Sequence, residues 1–496
     1  MNIKNKKGSV FIISYLVVVV LLGLGSAFAI VSANEARSAE RQRRTTLAFN
    51  IAEAGIERAM YDLRQDFVTI GSTSWSDGTI NTYSIGPNTA SFYSIPYAST
   101  TLNGGSYAVQ LKNVAGQTQH IWIQSVGTFG DETETILVYA KMTNNSPWNN
   151  AIFAGAGASG AMVNGNVDIR GSVIVLGSGL TSSDYAIDLG GTAELVGNNY
   201  TGLSATLSAK VPALPTTSVG GETVSTLNAT LRIKQGKVGL SGSSTVGDAN
   251  VAGNSVKETV DGSYVTDGFA GTGGTSSVHS DNGWSNAYDL GDTVTFPSLS
   301  DAYLSYSTYQ SYLKANALVI SSAADLAKFA SITPNSSFSY SGANGSISMD
   351  GSGNMAVSGT VYIDGGTLSM ATAGSKKTIT YTGSGSLLVT GNVQIDVSLV
   401  TSGNSSYPTN VVGIMTPGNI GFNQASSDVM GLFYAEGQIK VEKQTDIMGT
   451  IVSNYFDMGT NVPSIYQVPD VINHLPTGLI GNSSSWSIST VSWQKQ

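Results

Sequence analysis

The sequence predicts an α+β, mostly β fold with a long amino-terminal helix that is transmembrane in its first half and amphipathic in its second. A small antiparallel sheet and then a β-solenoid body, right-handed and β-helix-like, with a partly helical insertion are expected to follow. Three observations predict this. The chain is uncharged and apolar between Ser9 and Asn34, apolar residues then recur three and four positions apart, and short alternating apolar segments separated by Gly, Asn and Ser fill the rest.

Composition excludes several classes of protein. The chain has no Cys, which excludes disulfides and thiolate metal sites. Its three histidines, His120, His279 and His474, lie far apart, so we expect no metal and no cofactor. A net charge of −9 disfavours nucleic acid as a partner. With only 11% charged residues and 58 Gly among 496 residues, the composition suits strands joined by tight turns and does not suit a typical cytosolic enzyme.

The uncharged segment is long enough to cross a bilayer once, since about 20 apolar residues span the hydrocarbon. Lys4, Lys6 and Lys7 precede it and favour a cytoplasmic amino terminus, whereas four arginines follow it, so charge alone leaves the topology open. Two simpler interpretations of this segment remain open, a cleaved signal peptide and a plain membrane anchor. Ala27-Phe28-Ala29 fits a signal-peptidase site, and the segment could equally be a plain membrane anchor.

The residues after the apolar run predict that the helix continues. Residues 34–67 contain no Pro and one Gly, and are rich in strong helix formers. Glu53 and Glu57 fall outside the apolar stripe and are expected to be solvated. The stripe itself comprises Phe49, Ala52, Ile56, Ala59, Leu63 and Phe67. We therefore predict one helix over residues 9–67, about 88 Å long.

Three segments carry a resemblance to a known family: KKGSVF at residues 6–11 with the apolar run behind it, ERQR at residues 40–43, and AEAGIERA at residues 52–59. Together they resemble the amino-terminal region of PilX-type minor pilins, which are type IV pilin-like proteins. The resemblance implies that residues 1–8 are a prepilin leader. Prepilin peptidase would cut between Gly8 and Ser9 on the cytoplasmic face of the bacterial inner membrane, and Ser9 would then be N-methylated.

One position departs from the pattern of major pilins. Those proteins carry a glutamate five residues into the mature chain, and this chain has Ile13 there. In a filament that carboxylate is thought to neutralise the terminal amine of a neighbouring subunit, and a buried unpaired charge is costly. The substitution favours a minor subunit at the tip, which has no subunit above it to neutralise. Its partners would be the inner membrane and other pilins or pseudopilins.

The body is divided by changes in sequence pattern. Residues 68–146 alternate in three segments, around Tyr107–Leu111, Ile121–Ser125 and Ile136–Ala140, and resemble the pilin sheet. Residues 147–204 and 341–480 predict two parts of a β-solenoid, although a β-sandwich would alternate similarly. Residues 205–340 are predicted to be an insertion with helices, and residues 481–496 a carboxy-terminal tail. Tyrosines at residues 301–316 are either contact residues or packing residues.

Several short motifs match catalytic or binding patterns weakly. Gly155–Gly160 matches G-x-G-x-x-G but is followed by alternation instead of a helix. Ser311–Lys314 and Ser280–Asn282 match elements of penicillin-recognising enzymes in the wrong order. Asp350–Asn354 resembles a calcium loop without its terminal glutamate, which favours a tight turn. Chance explains these matches in a chain rich in Ser and Gly.

The sequence thus favours a structural subunit of a type IV pilus or of a type II secretion-like filament, not an enzyme. Its body would serve surface adhesion or assembly priming, with a cell-surface or carbohydrate ligand as a candidate partner. One alternative is a membrane-tethered carbohydrate-active enzyme on a β-helix. The acids Asp168, Asp364 and Asp396 lie on separate segments and do not form the close pair that sugar chemistry requires. The other alternative is a secreted adhesin with a cleaved signal peptide.

Overall fold

The structure is a computed structural model, and it divides the chain into two compact units. One unit comprises Met1–Thr143 with Trp486–Gln496, and the other comprises Asn144–Ser485. The residues that the structure describes are 6–70, 79–80, 82–84, 91–114, 117–144, 146–158, 165–181, 184–219, 222–227, 229–233, 237–240, 242–247, 259–260, 263–264, 269–270, 277–279, 294–459, 463–481 and 486–496.

Helices are few in the described residues, and one of them is far longer than the rest. The α-helices are α1 Lys6–Ile70, α2 Ala205–Ser208, α3 Tyr309–Ala315 and α4 Ala323–Phe329. Short 3-10 helices lie at Pro147–Asn149 and Pro469–Asn473.

Strands make up most of the remaining structure. Those up to residue 144 are β1 Thr79–Ile80, β2 Tyr83–Ser84, β3 Tyr93–Ser94, β4 Thr101–Leu102, β5 Gly105–Val114, β6 Gln117–Phe129 and β7 Glu132–Asn144. Those between residues 152 and 279 are β8 Ile152–Ala158, β9 Asp168–Arg170, β10 Val173–Val175, β11 Tyr185–Leu189, β12 Glu194–Gly197, β13 Thr216–Val219, β14 Glu222–Ser225, β15 Leu231–Ile233, β16 Lys237–Leu240, β17 Thr245–Val246, β18 Thr259–Val260, β19 Ser263–Tyr264, β20 Phe269–Ala270 and β21 Ser277–His279.

The last group begins after α3. It comprises β22 Leu318–Ile320, β23 Ser337–Ser341, β24 Gly345–Asp350, β25 Asn354–Ile363, β26 Leu368–Ala371, β27 Thr378–Thr382, β28 Ser384–Val389, β29 Val393–Asp396, β30 Ser398–Thr401, β31 Val411–Thr416, β32 Ile420–Phe422, β33 Ser427–Val441, β34 Thr445–Asp457, β35 Ser464–Tyr466 and β36 Trp486–Lys495.

The first unit is built on α1, which is unbroken from Lys6 to Ile70. Its carboxy-terminal half buries the predicted stripe, because Ala52, Ile56, Ala59 and Leu63 are all buried. Outside the stripe Glu53 and Glu57 are exposed, as their positions on the helix predict. The long helix and its amphipathic half are thus confirmed in the described residues.

A small antiparallel sheet packs on that half of α1. Its strand order is β3-β5-β6-β7-β36, with β4 paired to β5. In this sheet Leu111 pairs with Ile123, and Ile123 with Val138, so the three alternating segments place their buried residues side by side. The antiparallel sheet expected from the sequence is therefore present. Its final strand, β36, comes from the segment expected to be a tail, because Ile488 packs on the same core.

The second unit is built mainly from parallel strands that pair through three ladders. Each ladder contains a column of register-paired apolar residues, which buries one side of every strand. The first column runs Leu318, Val361, Leu387, Ile414, Phe433, Ile451, Ile152, Val173 and Leu231. The second runs Ile379, Leu399, Val429, Ile447, Ile465, Ile169, Leu195 and Val246. The third runs Leu368, Val393, Ile420, Ile439 and Phe456.

The strands of these ladders do not stack in the order in which they occur in the chain. Strands β8 and β9 pair with β34 and β35, so the earliest strands of the unit stack after the latest ones. Residues 294–317 run back along the stack to its beginning. Phe296 stacks against both Phe153 and Tyr434, and further along Gln310 donates to Tyr362. The chain then enters β22, which pairs with β25. The predicted insertion, residues 205–340, therefore includes the segment that returns the chain to the beginning of the stack at β22.

Candidate functional site

The amino-terminal half of α1 is the largest exposed apolar surface that the structure describes. Phe11 is 74% and Phe28 75% exposed, and the residues between them are similarly open. The helix is long and apolar enough to cross a membrane, with a mean hydropathy of 2.6 in its most apolar window. Ser26 donates to the carbonyl of Leu22 at 2.8 Å, which satisfies the hydroxyl within the helix. This half of α1 is therefore suited to lipid or to a bundle of apolar helices.

The predicted processing residues lie at the start of this helix. Gly8 and Ser9 are within α1, and nothing is described of their side chains. Ile13 is 60% exposed on the same apolar segment. An isoleucine there adds to the apolar surface, whereas a glutamate would have placed a carboxylate in it.

Charged residues begin immediately after the apolar segment and are paired with one another. Arg43 and Arg44 donate to Glu40 at 2.8 and 2.9 Å. Arg41 contacts Glu132 at 3.0 Å, which joins α1 to the start of β7. These exposed pairs contribute little stability, and the apolar surface of α1 ends before them.

Two glycines let α1 approach the sheet closely. A Cβ at Gly55 would collide with the hydroxyl of Ser125, and one at Gly127 would collide with backbone atoms of Ala48 and Ala52. A larger residue at Gly127 requires the helix to move away from β6, whereas one at Gly55 requires the Ser125 side chain to shift. The interface between helix and sheet is therefore tightly specified at these points.

Arg58 connects α1 to the loops before β5. Its guanidinium donates to the carbonyl of Ser99 at 2.6 Å and to the hydroxyls of Tyr107 at 2.7 Å and Tyr83 at 3.1 Å. It also lies 4.0 Å from the ring centroid of Tyr97. Burial, together with the nearby Asp62 carboxylate, raises the pKa of Tyr97, so this phenol stays neutral. One side chain thus holds three aromatic residues against the helix.

The weak motifs of the second unit have structural roles. The Asp350 carboxylate accepts hydrogen bonds from the amides of Ser352 and Asn354 and from the Asn354 side chain, and so forms the turn between β24 and β25. Ser311 forms a capping box with Thr308 at the start of α3, and Lys314 contacts Asp364 at 2.7 Å. Each polar group is therefore used within the fold.

The first four residues of the glycine-rich motif lie in a strand. Gly155, Ala156, Gly157 and Ala158 lie within β8, while Ser159, Gly160 and Ser280–Asn282 lie outside the described residues. In the part of the chain that the structure describes, no group of three or more His, Asp or Glu is arranged to hold a metal ion.

The three acids considered for sugar chemistry have different partners. Asp168 pairs with Arg170 at 2.8 Å, and Asp396 accepts from Gln394 and from the amide of Asn423. The third, Asp364, is the partner of Lys314. None of these contacts links one of the three acids to another.

Sequence reasoning missed a pair of acids that the ladders bring together. Asp428 and Asp446 are register partners on β33 and β34. Burial raises the pKa of both carboxyls, and the charge of Asp428 raises that of Asp446 further. A repeat could have revealed them, because SDVMG at residues 427–431 matches TDIMG at residues 445–449.

The tyrosines of residues 301–316 pack mainly against one another. Tyr303 lies 4.7 Å from both Tyr309 and Tyr312 between ring centroids, and Tyr306 lies 5.5 Å from Tyr312. Tyr309 is buried and donates to the carbonyl of Leu479. Of the two interpretations left open by the sequence, packing accounts for these contacts.

No protein-family model matches the chain, and no curated protein matches it. Among solved structures it is similar to the crystal structure of the competence-associated pilin ComZ from Thermus thermophilus. The two chains are 19% identical, the alignment covers 91% of this chain and 97% of that one, and the TM-score is 0.48.

Proposed function

We propose that this protein is a minor pilin-like or pseudopilin-like structural subunit of a type IV pilus or of a type II secretion-like filament. The observation that carries the proposal is the continuity of α1. A single helix, Lys6–Ile70, passes from an exposed apolar half to a half buried under an antiparallel sheet. A helix with this division inserts one end in lipid or in a filament core and carries a folded unit on the other.

The amino terminus is proposed to be processed as the family resemblance implies. Prepilin peptidase removes residues 1–8 from the cytoplasmic side of the inner membrane, and Ser9 becomes the methylated first residue. The anchor is then a single pass with a cytoplasmic amino terminus, and the rest of the chain is extracytoplasmic. Its partners in this scheme are the peptidase and other pilins or pseudopilins.

Ile13 supports a position at the tip of the filament. A subunit within the filament has a neighbour above it whose terminal amine needs a carboxylate, and Ile13 provides none. A subunit at the tip has no such neighbour. We therefore propose that this protein primes assembly or presents its body at the end of the filament.

The body is proposed to be a right-handed β-solenoid that serves for display. The support is the set of three parallel ladders, in which apolar residues of successive strands stack in register. Such a body is long-lived outside the cell without disulfides because each rung buries its apolar residues on the next. Surface adhesion is the role that this display would serve.

The test is the intact mass and amino-terminal sequence of the protein purified from membranes. The expected mature chain begins at Ser9 and carries one added methyl group. Gly8→Asp should leave the leader attached. The matched variant Ala29→Leu removes the small residue that signal peptidase needs but keeps the segment apolar, and it should be processed normally. A mature chain that begins at Ile30 would show cleavage by signal peptidase and would overturn the proposal.

A further inference from the structure

A groove of about 460 Å³ lies at the outward side of β23, β24, β25 and β27 in the second unit. The three strands β23, β24 and β25 are antiparallel neighbours, and β27 pairs parallel to β25. The groove is open to solvent, and its outward lining comes from all four strands. A surface of this width can accommodate an extended ligand that crosses several strands.

Register places three of the polar side chains that line the groove, those of Ser339, Ser348 and Thr382, in one row. Ser339 pairs with Ser348, Ser348 with Ala356, and Ala356 with Thr382. The row spans about 14 Å, since neighbouring strands lie 4.7–4.9 Å apart. The groove is also lined by three buried apolar residues of the same strands, Phe338, Met349 and Met355. Ala356 has the smallest side chain of the row, so it forms a dip between two hydroxyl groups.

The hydroxyl groups of this row are free, unlike many others in the same unit. Ser339, Ser348 and Thr382 make no side-chain hydrogen bond within the part of the chain that the structure describes. In contrast, Ser386 donates to the carbonyl of Thr477, and Thr450 donates to the carbonyl of Asn150. A hydroxyl can both donate and accept, so a row of free ones matches a ligand that does the same.

The charge of the groove favours a neutral ligand over an anionic one. No Lys or Arg lines it, and its one ionisable residue is Asp350. The Asn354 amide holds the pKa of Asp350 below its usual range, and further bonds from the Ser352 and Asn354 amides act in the same direction. The carboxylate therefore stays charged and repels acidic groups, while its oxygens are engaged in the turn.

We propose that this groove binds a neutral carbohydrate chain laid across β23, β24, β25 and β27. The free hydroxyls of Ser339, Ser348 and Thr382 would exchange hydrogen bonds with sugar hydroxyls, and a sugar ring would sit over Ala356. The inference deepens the display role of the proposed function and rests on it for access to carbohydrate outside the cell. It names the class of ligand and the strands that recognise it.

The experiment measures binding of the detergent-solubilised full chain to particles of cellulose, chitin, mannan and starch, with polygalacturonate particles as the anionic comparison. We expect binding to at least one neutral polysaccharide and none to polygalacturonate. Ser339→Ala with Ser348→Ala should weaken that binding at least about tenfold, because two hydrogen bonds are lost. Ala356→Glu should abolish it by filling the dip.

The matched control is Ser341→Ala with Ser346→Ala. These two residues are register partners on β23 and β24, two positions along each strand from Ser339 and Ser348. The control variant should bind like the unaltered protein, and all variants should keep the same thermal midpoint. Failure of every neutral polysaccharide to bind, full binding by the groove variants, or equal loss in the control would each overturn the proposal. Intact mass of the same preparations reports on leader processing separately, so failure of the groove and failure of the proposed function are distinguishable.

Discussion

Asp428 and Asp446 are direct register partners on the neighbouring parallel strands β33 and β34. Their flanking residues Ser427 and Thr445, 18 positions apart in the chain, share a hydrogen bond of 3.2 Å between their hydroxyls. In a parallel ladder, register partners project to the same side, so two carboxylates are stacked one rung apart. Among the described residues, no Lys or Arg forms an ion pair with either carboxylate. The pair is therefore a site of like-charge repulsion within the second unit.

We predict that Asp446→Asn stabilises the second unit at neutral pH. Burial raises the folded-state pKa of both carboxyls above the unfolded value of about 3.9. For an acid whose folded pKa is raised, stability is greatest below the unfolded pKa and falls as pH rises through the folded pKa. Removing one charge should therefore add about 0.5–1 kcal/mol at pH near 7. The change in the free energy of unfolding is measured by urea titration, with hydrogen exchange in β33 and β34 as the readout.

The pH dependence provides the control for this prediction. The gain from Asp446→Asn should shrink toward zero below about pH 3, where both acids are largely protonated in the folded and in the unfolded state. Asp428→Asn should give a similar gain, and the double variant should gain less than the sum of the two. A gain that persists unchanged in acid would show that packing, not charge, is responsible.

This pair also shows what the sequence could and could not predict. The repeated SDVMG and TDIMG segments are visible in the sequence, but their direct pairing becomes evident only with the parallel ladder. The pairing of β8 with β34 joins residues about 300 positions apart and has no local pattern at all. In contrast, the stripe of α1 follows from spacing along one helix, because Ala52, Ile56 and Ala59 are neighbours through helical geometry alone.

A second prediction concerns the close approach of α1 to β6. Gly55→Ala should destabilise the first unit by about 1–3 kcal/mol, because the new methyl group meets the hydroxyl of Ser125. Adding Ser125→Ala should restore part of this loss by removing that oxygen. Hydrogen exchange of β6 in the full chain is the measurement.

Gly127→Ala is the matched comparison on the other side of the same interface. Its methyl group would meet backbone atoms of Ala48 and Ala52, which cannot be removed by substitution. We expect a loss at least as large as that of Gly55→Ala and no rescue by Ser125→Ala. Equal rescue of both variants would contradict the packing described for the helix and sheet.

A third prediction concerns Arg58 and its aromatic partners. Arg58→Lys keeps the charge but cannot donate to Ser99, Tyr107 and Tyr83 at once, so the first unit should lose about 1–3 kcal/mol. Faster hydrogen exchange in β5 and increased proteolysis near residue 99 would report the loss. Arg37→Lys, an exposed position on the same helix, should change neither. If both variants show the same hydrogen exchange and the same proteolysis, Arg58 does not hold the loop at residue 99 against the helix.

The last prediction concerns β36, which returns the chain to the sheet of the first unit after the whole second unit has been made. Trp493 packs its ring 5.8 Å from that of Phe49 on α1, and Lys495 pairs with Glu134 on β7 at 2.9 Å. Deleting residues 486–496 leaves β7 as an unpaired edge and uncovers Phe49. Hydrogen exchange should therefore rise in β7 and in the adjoining part of α1, while the strands β28, β31 and β33 keep their protection.

Substitution of single residues separates the contributions of pairing and packing. Trp493→Ala should raise exchange in α1 around Phe49 but leave β7 protected, because the backbone of β36 still pairs with it. Unchanged exchange in β7 after the deletion would show that the sheet is complete without β36. If the deletion acts as expected, the sheet of the first unit cannot be completed until the second unit has been synthesised, since its final strand follows residue 485 in the chain.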